Sequence, residues 1–179
     1  MRRRDLRLTC LLPLPLPVRA FSCAARRERL DKGASDPSLP PEVFMSSTQV
    51  DTSGFGAYAG PVRRVQRDGQ DVFTFEIAPH HLNGADRLHG GMMMTLAAIV
   101  LGQVAKDAAA AKQPDAEVRP LSVNCDFVSA GEKGEEVEGR AEVTRATRTV
   151  LFISGDLRVG SRILMTATGV YAIKEKGAA

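Results

Sequence analysis

The chain has 179 residues, of which 44% are hydrophobic and 25% charged, enough for one globular domain with a tail. Its formal net charge is +3, but residues 1–32 hold nine basic and three acidic side chains, a net of +6, which leaves −3 for the rest. The basic character therefore belongs to the tail, and a nucleic-acid-binding reading based on overall charge is excluded.

Residues 1–50 read as a basic, Pro-rich extension, set apart from a domain over residues 55–174. The apolar run from Leu11 to Leu16 is broken by Pro13 and Pro15 and followed by Pro17, so it is too short and too interrupted to span a bilayer as a helix. Three origins fit the extension: an over-extended start ahead of Met45-Ser46-Ser47-Thr48, a mitochondrial transit peptide, or a secretory signal. The expected location is cytoplasmic, or the mitochondrial matrix if residues 1–44 are a genuine transit peptide.

Two strands are predicted at residues 61–67 and 71–78, joined by the turn dipeptide Asp68-Gly69. In the second, Phe73, Phe75 and Ile77 share one face. A polar, Gly-rich stretch follows, from Asn83 to Gly91. Residues 92 to about 111 form the one long helical segment, without Pro and rich in Ala, Met and Leu. Residues 92–101 are apolar on almost every side, which predicts a buried helix. This apolar run is only about half the length that a membrane span needs. Alternation returns at Leu121, Val123, Cys125 and Phe127, then in residues 135–146, in a run from Arg148 through Ile153, and in residues 163–173. The expected architecture is α+β: an antiparallel sheet of five or six strands around one helix.

The helix entry carries the chemistry. The first turn of a helix has backbone N–H groups without intrahelical partners and partial positive charge. Gly90 and Gly91 have no Cβ, so a phosphate, a carboxylate or a polarised carbonyl oxygen can approach those amides. The competing reading is a plain loop before a core helix. No metal site is expected: the cysteines (Cys10, Cys23, Cys125) show no ligand spacing, and His80, His81 and His89 have only Asp86 as an acidic neighbour. No cofactor is expected either.

The element order and the spacing Asn83-x(5)-His89-Gly90-Gly91 resemble the PaaI-like acyl-CoA thioesterases of the hotdog fold. The resemblance continues through residues 122–128, 134–139 and 145–149 and the closing Ala167-Thr168-Gly169-Val170-Tyr171. It implies hydrolysis of a thioester to free acid and CoA, a homodimer or homotetramer with sites between subunits, and no membrane span. It implies that the Gly91 N–H donates to the thioester carbonyl, with Gly90 and Met92 beside the substrate. Asn83 would position water or the thioester, and His89 would hold the loop. Arg145 and Arg148 would meet the CoA phosphates, for which the arginine fork is suited; solvated edge charge is the alternative.

One position departs from the family. The catalytic carboxylate belongs nine residues after the motif histidine, and this chain has Ala98 there. Asp107 is sixteen residues beyond Gly91, about 24 Å along a helix, and is out of reach. Asp86, in the motif loop, is the nearest substitute, and Asp126 is a second, approaching across a dimer. The alternatives to an active enzyme are therefore a non-catalytic acyl-CoA or acyl-ligand binding protein, and a subunit that depends on an active partner chain.

Overall fold

The apolar alternation of the sequence closes into one seven-stranded antiparallel sheet with a long helix lying on it. The computed structural model describes residues 47–51 and 53–175; the basic, Pro-rich extension lies almost wholly outside them. The elements are β1 (Thr48–Val50), α1 (Gly54–Ala59), β2 (Val62–Arg67), β3 (Gln70–Glu76), α2 (Gly90–Ala110), β4 (Ala116–Phe127), β5 (Glu136–Ala146), β6 (Val150–Val159) and β7 (Arg162–Glu175). A 3-10 turn, Pro79–His81, stands between β3 and the motif loop. The strand order is β1-β2-β3-β5-β6-β7-β4, so β1 and β4 are the edges. This is the hotdog arrangement.

All six expected strands are present, and β1 makes a seventh. The Asp68-Gly69 turn closes the β2–β3 hairpin with both residues at positive φ (53° and 75°), the backbone that a two-residue turn between twisted strands requires. β4 begins at Ala116, earlier than the alternation from Leu121 indicates. Pro120 lies on this edge strand at a register shift between residues 120 and 122, where a missing N–H donor is tolerated.

The core is mainly aliphatic, with Phe73, Phe75 and Tyr171 as its aromatic members. Phe73 and Phe75 from β3, Ile77 just beyond it, Leu151, Ile153 and Leu157 from β6, and Leu164 and Met165 from β7 pack against Leu96, Val100 and Leu101 of α2. A Cβ at Gly139 of β5 would meet Val100 Cγ2 at 2.6 Å, so the helix rests almost directly on the strand backbone there.

The expectation that α2 is buried on all sides is corrected. Met93, Leu96, Ala97, Val100, Leu101, Ala105 and Ala109 face the sheet. Met94 is 46% exposed, and Gly91, Ala98 and Lys106 are exposed too. An all-apolar composition reports hydrophobicity without reporting which side the protomer itself covers. The length argument against a membrane span is corrected as well. With 21 residues, α2 is long and apolar enough to cross a membrane by length and composition. Its packing on the sheet accounts for that composition as a core helix.

Candidate functional site

The motif loop is tied down from both sides before α2 begins. His81 is buried; its Nδ1 accepts from the Ala78 N–H (2.9 Å) and its Nε2 lies 2.8 Å from the Ala59 carbonyl. The ring therefore joins the end of α1 to the 3-10 turn. Burial, reinforced by neighbouring His80, pushes the imidazole pKa down against the bond to Ala59, so the neutral ring is favoured. The His81 carbonyl in turn accepts from the His89 N–H (2.8 Å). Leu88 is buried and donates its N–H to Gly131 O (2.9 Å).

Asn83 makes the turn. Its Oδ1 accepts from the N–H groups of Ala85 (2.9 Å) and Arg87 (3.2 Å), and its own N–H donates to the Arg87 carbonyl (2.8 Å). Asp86 sits at φ 54° in the same exposed turn. Asn83 thus spends its side-chain acceptor on the loop backbone.

The helix entry differs from the open cradle that the two glycines suggest. His89 is the N-cap of α2, and its Nδ1 accepts from the Gly91 N–H at 2.9 Å. The Met92 and Met93 N–H groups both donate to the His89 carbonyl (2.9 and 3.1 Å). An acceptor at Nδ1 leaves Nε2 protonated and pointing outward as a donor. The glycines have separate steric reasons. A Cβ at Gly90 would lie 3.2 Å from the Phe127 ring, and one at Gly91 would lie 3.0 Å from His89 Nδ1.

From Gly91 a stripe of small residues runs down the outer face of α2. Gly91, Thr95, Ala98, Gly102 and Lys106 follow at helical spacings of four, three, four and four. Thr95 Oγ1 donates back to Gly91 O (2.9 Å). The lower part of this stripe floors a cleft of about 290 Å³, lined by Asp51, Phe55, Thr95, Ala98, Ile99, Gly102, Gln103 and Lys106. A larger cleft, about 640 Å³, lies beside Val104 and Asp107 toward the other end of the helix and does not include the motif loop.

Residues 78–172, more than half of the chain, match the family described as the acyl-CoA thioesterase N-terminal domain. The chain belongs to this thioesterase family. It is 28% identical over 102 residues to a Pseudomonas aeruginosa protein named as an esterase, covering 57% of this chain and 74% of that one. A conserved protein of Pseudomonas aeruginosa shares the fold at a TM-score of 0.59 and 23% identity, over 75% of this chain and all of the other. Zebrafish thioesterase superfamily member 2 shares it at 0.57 and 21%, over 69% and 89%. A Streptococcus pneumoniae protein described as a hypothetical thioesterase, solved with coenzyme A, shares it at 0.53 and 22%, over 62% and 82%.

Measured against the thioesterase expectation, one protomer brings together only part of the site. His89, Gly90, Gly91 and Met92 are contiguous at the start of α2, Asn83 lies six residues upstream in the turn, and Ala98 follows two turns on. Arg145 and Arg148 are exposed at the opposite end of the sheet. Their turn is fixed by Thr147, and Ile173 N donates to Thr149 O (2.8 Å), whereas the motif end is marked by Phe127 against Gly90. Asp107 is held by Arg64 (2.8 Å) and by Gln103 Nε2 (3.0 Å). Burial raises the Cys125 thiol pKa, as does neighbouring Asp126, so it makes a poor nucleophile. Burial likewise pushes the Tyr171 phenol up to about 12, with a smaller contribution from Cys125. Among the described residues no grouping of three or more His, Cys, Asp or Glu side chains could hold a metal ion.

Sequence reasoning missed Asp51, Phe55 and His81. The first two lie in a short irregular segment without periodicity. His81 was legible only as part of a histidine cluster.

Proposed function

We propose that this chain is an acyl-CoA thioesterase of the PaaI-like type. The observation that carries the reading is the stripe from the Gly91 amide to the cleft over Ala98: a carbonyl-polarising helix start leads directly into a recess large enough for a small reacting group. In this reading the thioester carbonyl displaces His89 Nδ1 from the Gly91 N–H. The oxygen gains negative charge as water attacks, and the Gly91 amide, once released from His89, stabilises that charge. His89 is thus a cap that yields to substrate. Its outward Nε2–H is a further donor at the mouth of the site.

CoA phosphate contacts from Arg145 and Arg148 require a second copy, because these residues lie at the far end of their own protomer. A two-fold axis through the middle of β4 would set the motif end of one protomer beside the far end of the other. The functional unit is therefore a homodimer or a dimer of dimers.

The test is hydrolysis of acetyl-, butyryl-, octanoyl- and benzoyl-CoA by the full chain, followed by release of free thiol. Turnover of at least one, lost in Gly91→Val, is the expected result. The second reading, a non-catalytic acyl-CoA binder, is favoured by Ala98 in place of the family's acid. It predicts calorimetric binding of the same thioesters with no thiol released.

A further inference from the structure

We infer that Asp51 supplies the carboxylate that position 98 lacks. This rests on the thioesterase reading and concerns the same site. Several observations converge on it. Asp51 lines the cleft that Ala98 and Thr95 floor, so the missing acid and its replacement border one space. Among the described residues lining that cleft it is the sole carboxylate, and Lys106 is the other ionisable one. Arg64 and Asp71 lie on the adjoining cleft that Asp51 also borders, and they pair with each other, Arg64 reaching Asp107 as well.

The backbone supports the same assignment. Asp51 has φ 52°, a left-handed conformation that a non-glycine residue adopts at a cost. It directly follows β1. Gly56 then explains itself: a Cβ there would overlap the Asp51 carboxylate. Glycine inside a helix is destabilising relative to alanine by about 0.5–1 kcal/mol, and at residue 56 it leaves room for the Asp51 carboxylate and for the Asp51 carbonyl oxygen. Phe55, 67% exposed on the same helical turn, forms the apolar wall of the cleft.

The chemistry is general-base hydrolysis. The Asp51 carboxylate takes a proton from a water in the cleft as the water oxygen bonds to the thioester carbonyl carbon. The tetrahedral intermediate collapses, the C–S bond breaks with its electron pair leaving on sulfur, and the proton passes to the CoA thiolate. One thioester and one water give one carboxylic acid and one CoA thiol. Family members carry the base on the helix; here it reaches the cleft from the segment above.

The experiment compares the full chain with Asp51→Asn, Ala98→Asp, Asp51→Asn/Ala98→Asp and Gly56→Ala on the same acyl-CoA panel. Asparagine tolerates the left-handed backbone, so Asp51→Asn keeps the turn. The expected result is a fall in kcat of at least about 100-fold, the lower end for loss of a general base, with KM within about threefold of the parent. Adding Ala98→Asp restores at least about tenfold, which corresponds to about 1.4 kcal/mol of barrier. Gly56→Ala, which favours helix formation in α1, nevertheless lowers kcat by displacing the carboxylate.

Full activity in Asp51→Asn overturns the assignment and leaves the thioesterase reading standing. An inactive parent that becomes active as Ala98→Asp also overturns it, because the site is then competent and Asp51 does not serve it. An inactive parent with an inactive Ala98→Asp variant overturns both.

Discussion

At the residue scale, the two histidines of the motif loop do different work, and each makes a measurable claim. His89 caps α2 by accepting the Gly91 N–H. Loss of an N-cap side chain costs about 0.5–2 kcal/mol, so His89→Ala should lower the melting temperature by a few degrees. His89→Asn, which offers a good capping oxygen, should recover most of the loss in the same thermal melts. His81 is held neutral, its pKa lowered from an ordinary 6.5 by burial and by His80. A group with a depressed folded pKa contributes stability above its unfolded value. That contribution is lost as pH falls from 6.5 through the lowered folded value. The chain should therefore lose thermal stability between pH 7 and pH 5, and His81→Gln should flatten that slope. Carboxylates held low in the fold act in a more acidic window. Asp71 is held low by its bond from Arg64. At Glu135 the upward push of burial is outweighed by the Glu132 N–H and by Arg162. Both contribute above the ordinary carboxylate range and lose their contribution only below about pH 4.

At the scale of elements, the close seat of α2 on β5 predicts a strong response to a single methyl group. Gly139 faces Val100 at a distance no Cβ tolerates and lies near Leu157 as well. Overpacking a well-filled core costs about 1–3 kcal/mol, so Gly139→Ala should lower stability by that amount in urea unfolding, with the m-value unchanged. A silent Gly139→Ala would mean that the helix does not rest there. This seating also shows where the sequence was legible. The β2–β3 hairpin was read from Asp68-Gly69 and the face shared by Phe73, Phe75 and Ile77, because a turn dipeptide and period-two alternation are local signals. The start of α2 was legible to within two residues, since a Gly-rich loop meets a run of helix formers. β1 and α1 were not, because Thr48–Val50 is too short for a period and Gly54–Ala59 holds two glycines in six residues. They form through contacts with β2 and α2 that no window of sequence displays. The candidate site was half legible for the same reason: the motif and Ala98 are sequential, while Asp51 reaches the cleft only through the fold.

At the scale of the whole molecule, the two sheet edges are unequal. β1 is three residues long, a short edge with little capacity to pair. β4 is twelve residues long, and one side of its backbone has β7 as neighbour while the other has no strand. Near it stand Leu121, Phe127 and Val128, all more than half exposed. On α2 the exposed Met94 and the small residues around Ala98 continue the apolar surface. A long open edge with large hydrophobic side chains is an aggregation hazard unless a partner covers it. An antiparallel pairing of β4 with β4 of a second copy satisfies both the backbone groups and the side chains. It also brings Arg145 and Arg148 of one protomer toward the helix start of the other. Light scattering at micromolar concentration should accordingly return at least twice the chain mass of 19.3 kDa. Leu121→Asp places a charge on that edge without touching the core of the protomer. It should shift the mass toward a single chain and raise KM for acyl-CoA, while the far-ultraviolet spectrum stays that of the parent. A parent that is monomeric at that concentration yet turns over acyl-CoA would show that the site is complete in one protomer. Arg145 and Arg148 would then have no part in binding the phosphates.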